Sequence, residues 1–188
     1  MLMDSLHGKV GKVVLVGLIS ALCVVTNYAL LPFPNIKVMD TIVFLSGFLF
    51  GLPSGISVAV IPWLIYGTLN PYGLPPFPTF LSVVSGEMIY AITGYLVGRK
   101  PDAFYGRTWL SIQNIGFGVV GMVSTLLYDL LTNAVTGWFF YGSVLIGLLT
   151  MNFPLPLGII HEVSNFFLFA LLAPPIIHTV KRRELIDV

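Results

Sequence analysis

Four ionisable side chains sit in stretches of this sequence that are otherwise apolar: Glu87, Asp129, His161 and Glu162. Amides accompany them at Asn27, Asn133 and Asn165. Asp129/Asn133 and His161/Asn165 are each four residues apart, and Trp63, Tyr66 and Asn70 follow i, i+3, i+7. On helices each set shares one face. Such faces can line a cavity in which aromatic rings stack on a flat ligand while carboxylate, imidazole and amide groups fix its orientation. Trp63, Tyr66, Asn70, Asp129, Asn133, His161 and Asn165 are therefore the candidate substrate-binding residues. The alternative is that these side chains bond one another between helices and act only as glue. Glu87, beside Gly86, fits either role, and the role of Glu162 is open.

Other chemistries fare worse. His161-Glu162-Val163-Ser164-Asn165 is one residue from the zinc-protease pattern H-E-x-x-H, but Asn165 stands where the second imidazole must be. Asp129, His161 and Glu162 would make an acid/base set for a membrane-embedded enzyme, yet no nucleophile motif accompanies them. The expectation is a protein that is not an enzyme, with no catalytic residue, metal or cofactor. Cys23 is the single cysteine, which excludes an internal disulfide and a cysteine metal cluster. The chain has no G-x-x-x-x-G-K-[ST] run for ATP. A structural membrane subunit is the remaining alternative.

The elements that carry these residues follow from composition. Of 188 residues, 56% are hydrophobic and 9% charged, where a soluble domain carries about a quarter charged. Mean hydropathy is +0.94. Lipid is the main solvent, and net charge +1 gives no case for nucleic acid. The expected fold is an all-α membrane protein, a single integral domain over 1–188. It has six transmembrane helices at roughly Val13–Leu31, Asp40–Gly51, Ser54–Asn70, Pro78–Gly98, Asn114–Gly137 and Pro154–Val180. The first reads as a retained span rather than a cleaved signal. The second falls short of the about 20 residues a span needs, so its approach or its neighbours must compensate. Pro53 separates it from the third as a tight hairpin.

Trp138–Asn152 is also apolar, and charge decides whether it is a seventh span. With six spans and both termini cytoplasmic, Lys9, Lys12, Arg99, Lys100, Arg107, Lys181, Arg182 and Arg183 all lie inside and Lys37 alone lies outside. Seven spans would put Lys181–Arg183 outside. Trp138–Asn152 is then an interfacial or re-entrant outer segment. In this topology the polar groups named above converge on the outer leaflet, under proline- and aromatic-rich outer connections suited to a lid. Those connections also fit simple interfacial anchoring.

Several runs resemble the substrate-binding S components of energy-coupling factor (ECF) transporters. They are Asn35–Asp40, Gly47-Phe48-Leu49-Phe50-Gly51, Trp63–Gly73, Tyr128–Asn133 and His161–Phe166. The resemblance implies a six-helix binding subunit that captures a vitamin or related micronutrient from outside. It also implies partners: a transmembrane coupling subunit carrying two cytoplasmic ATPases. In that family a small-residue motif on the first helix, typically A-x-x-x-A, meets the coupling subunit, and Gly17 and Ala21 match it by size.

Overall fold

The computed structural model describes residues 8–99, 112–150 and 157–182. These residues form seven helices: α1 (Lys9–Ala29), α2 (Val38–Phe50), α3 (Leu52–Leu69), α4 (Phe77–Gly98), α5 (Ile112–Tyr141), α6 (Val144–Thr150) and α7 (Leu157–Arg182). No strand occurs among the described residues. Five helices, α1, α3, α4, α5 and α7, are long and apolar enough to cross a membrane. With 13 residues, α2 rises only about 20 Å, less than the hydrocarbon thickness.

Neighbours compensate for that shortness. Between Met39 and Leu49 every residue of α2 except Ile42 is buried, and the helix packs against α1, α3, α4 and α7. Closeness to α4 depends on glycine. A Cβ at Gly47 would run into the backbone oxygen of Ala91, and one at Gly94 into that of Phe44. The two backbones touch there, which only small residues permit. Phe44 then packs its ring against Phe48, Phe117 and Phe169 at centroid distances of 5.0–6.1 Å, which joins α2 to α5 and α7. Between α2 and α3 the chain reverses at Gly51 (φ 86°), a conformation disfavoured for side-chain-bearing residues. Pro53 sits in the first turn of α3, where its missing N–H has no helical partner to lose.

Helix boundaries fall within a few residues of the expected spans, with one difference at the fifth. Nothing from Trp138 to Tyr141 breaks a helix, so α5 runs on to Tyr141 and turns at Gly142. The short α6 then folds back on α5, with Gly137 and Gly147 in backbone contact. Lys100, Arg107, Arg183 and positions 151–156, where the last span was expected to begin, lie outside the described residues.

Candidate functional site

On α7, His161 and Asn165 are one turn apart, and both reach the buried junction of α2, α4 and α5. His161 Nε2 lies 3.0 Å from Asp40 Oδ2, and its Nδ1 lies 3.1 Å from both carboxylate oxygens of Asp129. A ring that faces carboxylates through both nitrogens completes both bonds only with a proton on each. Asn165 Nδ2 donates to Asp40 Oδ2 at 2.6 Å and to Thr125 Oγ1 at 2.7 Å. The Tyr90 hydroxyl donates to Thr125 Oγ1 at 3.1 Å. Asp40, His161 and Asn165 are each at most 2% exposed, so this is an interior network. Buried charge is tolerable when it is paired and bonded in this way. Asp40 has a further reason for its place: it occupies the first turn of α2, where the helix dipole favours a carboxylate.

A second set of contacts adjoins the first. Trp63 Nε1 donates to Glu87 Oε2 at 3.0 Å, tying α3 to α4. The Lys37 ammonium lies 5.1 Å from the centroid of the Trp63 ring and 5.3 Å from that of Tyr128. Tyr128 in turn meets His161 edge-on at 5.7 Å. The rings of Trp63 and Tyr128 thus link Lys37, at the N-cap of α2, to the His161 network.

Beside Lys37 lies a cavity of about 230 Å³. Its wall is most of the α1–α2 connection between Leu30 and Lys37, together with Asn27, Tyr66 and Tyr72. Tyr66 is wedged between Tyr28 and Trp63, 5.3 and 5.8 Å away between centroids. Asn27 is held from behind by a 3.0 Å contact of its Nδ2 with Met39 Sδ.

The seven residues picked from sequence divide among these places. Asp129, His161 and Asn165 come together in the buried network. Trp63 belongs to the Lys37 contacts, and Tyr66 lines the cavity. Asn70 is occupied locally: its Nδ2 donates to the carbonyls of Tyr66, Gly67 and Gly73, and its Oδ1 accepts from the Tyr72 N–H. Asn133, half-buried one turn beyond Asp129, takes no part in the network's hydrogen bonds. Neither does Glu162, also half-buried. With both His161 nitrogens facing aspartates, the H-E-x-x-N run is not arranged as a metal-binding pair.

Asp40, Lys37, Tyr90, Thr125 and Tyr128 are the members that sequence reasoning did not single out as site residues. Two had visible signals. Asp40 is an ionisable residue opening a short apolar helix, and Lys37 is the one base that the charge pattern leaves outside. At the opposite surface of α1, Gly17 and Ala21 are exposed among Val13, Val14, Leu18, Leu22 and Val25.

No curated protein and no solved structure matches this chain. A family model does: that of the ECF-type riboflavin transporter, S component, over residues 8–182. This match covers nearly the whole chain, including the loop that carries Lys37 and every helix that contributes to the buried network. The protein is an integral membrane protein of the family of ECF-type riboflavin transporter S components, a family of transporter subunits rather than of enzymes.

Proposed function

We propose that this chain is the subunit that captures a small water-soluble vitamin outside the cell and delivers it through an ECF importer. The observation that carries the reading is the family match over residues 8–182. Riboflavin, for which the family is named, is the first ligand to try. The cavity beside Lys37 is its entrance, and the polar set Trp63, Tyr66, Asn70, Asp129, Asn133, His161 and Asn165 is the ground from which the ligand site is built. Release to the inside requires a transmembrane coupling subunit with cytoplasmic ATPases, since the chain has no nucleotide-binding motif of its own. Gly17 and Ala21 on the exposed face of α1 are the docking point for that subunit. The topology that goes with this reading has six spans, α2 counting as the short one, and both termini in the cytoplasm.

Purified protein in detergent or nanodiscs, titrated with riboflavin and followed by flavin fluorescence, tests the capture step. Saturable binding is expected. Proteoliposomes holding this chain alone should bind the vitamin yet show no ATP-dependent uptake. Concentrative uptake by the isolated chain, or an absence of binding to any vitamin in a panel, overturns the reading.

A further inference from the structure

Helix α7 carries two consecutive prolines, Pro174 and Pro175, inside its 26 residues. A proline has no N–H to give the carbonyl four residues before it, and its ring pushes that carbonyl aside. Ala170 and Leu171 therefore lose their ordinary helical donors. Carbonyls freed in this way inside a membrane are satisfied by neighbouring helices. Here α5 supplies a donor: Asn114 Nδ2 bonds the Ala170 carbonyl at 2.9 Å, and both residues are buried. Asn114 is also the last rung of a seam. Residues 114, 118, 121 and 125 share one face of α5. Thr125 Oγ1 accepts from Asn165 Nδ2, and a Cβ at Gly121 or Gly118 would collide with the backbone oxygen of Asn165 or Phe166. Among the described residues α5 begins at Ile112, so the seam ends close to where the prolines begin, while α7 runs on to Arg182.

We propose that Pro174–Pro175 is a hinge and that Asn114 is the latch holding α7 in line across it. When the latch lets go, Ile176–Arg182 swings, in the step that delivers the vitamin inwards. On the outer side of the hinge the two helices meet through backbone and have no slack, whereas prolines are where long helices bend. The latch is one neutral hydrogen bond, whose net worth is modest enough to be made and broken reversibly. In the six-span topology the hinge lies in the inner half of the membrane, and His161 with its partners lies several turns earlier on the same helix, in the outer half. Capture and rearrangement are thus served by opposite ends of α7. Only the delivery step rests on the vitamin-capture reading; latch and hinge stand on the geometry.

Full-length protein tests latch and hinge without any ligand. Asn114→Leu leaves the Ala170 carbonyl without its donor and should lower the Tm by about 2–10 °C; Asn114→Ala does the same without added bulk. Pro174→Ala gives that carbonyl an N–H again, so in the Pro174→Ala background the same Asn114 substitutions should cost less. Equal losses in the two backgrounds overturn the latch. Hydrogen exchange locates the motion: Asn114→Ala should speed amide exchange over 171–182 and leave 157–169 at parental rates. Faster exchange spread evenly along α7, or no change, overturns the hinge. In the assembled importer, Pro174→Ala/Pro175→Ala stiffens the joint. Riboflavin affinity should then stay at the parental value while ATP-dependent uptake slows, and uptake at the parental rate overturns the role in delivery. A parent that binds no riboflavin, with the Asn114–Pro174 coupling intact, has a different meaning: the capture reading fails and the hinge stands.

Discussion

The buried network and the cavity beside it are separated by one lysine and built by opposite means. Around His161 the polar atoms come from α2, α4, α5 and α7, with most bonds satisfied within the protein and exposures of a few per cent. The cavity is walled mostly by a connection, residues 30–37, that follows α1 and is itself half-exposed. Its 230 Å³ falls below the about 300–1,000 Å³ typical of small-molecule pockets. On the proposed reading a vitamin-sized ligand needs this wall to move, and loops in general move more readily than packed helices. The lesson is a division of labour. On that reading helices hold a packed, charged floor and the loop is its cover, with Lys37 at the loop's end lying over the Trp63 and Tyr128 rings beside the floor.

If the division is right, the floor fails through stability and the cover through affinity. The largest effect is expected at Asp40. Asp40→Ala strips His161 Nε2 and Asn165 Nδ2 of their shared acceptor, and breaking one side of a buried pair costs about 3–5 kcal/mol. Thermal or denaturant unfolding should show that loss, with Asp40→Asn milder because it keeps the shape and one acceptor. An Asp40→Ala protein that melts like the parent would show that the network does not hold the helices together.

Asn165→Ala comes next. It leaves the remaining oxygens of Asp40 and Thr125 less satisfied, at about 1–3 kcal/mol of stability. Asn133→Ala is its control, one turn beyond Asp129 on α5 and outside the network's hydrogen bonds. Equal destabilisation by the two would erase the boundary drawn around the floor.

At the cover the expectation reverses. Tyr72 lines the cavity yet is 79% exposed, so Tyr72→Ala should leave the unfolding midpoint unchanged. A stacked ring is worth about 0.5–1.5 kcal/mol, which at about 1.4 kcal/mol per decade weakens ligand binding some two- to tenfold. Titration of the folded variant measures it. Unchanged affinity would move the ligand away from this wall.

Much of the floor was legible in sequence because helical spacing is a one-dimensional property. Asp129, His161 and Asn165 were identifiable as ionisable or amide residues in apolar helices, and the structure brings these three together. What spacing does not show is which helices meet. Asp40 is 121 residues from His161 and looked like the edge of a span, so nothing local pointed to their pairing. Asn70 satisfied the i, i+3, i+7 pattern equally well, but its side chain is engaged in the turn after α3, a role that a periodicity argument does not see. Five of the helices were apparent from apolar length. The sixth, α2, was recognisable as short, and its compensation by burial needed the contacts of Gly47 and Gly94.

Glycine gives the smallest expected effect and the sharpest contrast. The motif noticed in sequence, Gly17 with Ala21, faces outwards: a Cβ at Gly17 would meet nothing within 4 Å. By contrast, Gly47 and Gly94 are among the glycines that bring helices into contact, since a Cβ at either would collide with backbone. A Gly17→Leu substitution should therefore change the stability of the isolated chain by no more than about 0.5 kcal/mol, as is usual at open surface positions. It should also leave ligand affinity untouched, since α1 at this level borders neither floor nor cavity. Its one expected consequence is on assembly: a leucine holds an approaching helix away and forfeits the close contact that small residues allow. Co-purification of the Gly17→Leu/Ala21→Leu protein with a coupling subunit and its ATPases reads this directly. Loss of the complex at unchanged Tm and unchanged binding assigns this face to the partner. A complex recovered at parental yield returns Gly17 and Ala21 to the lipid.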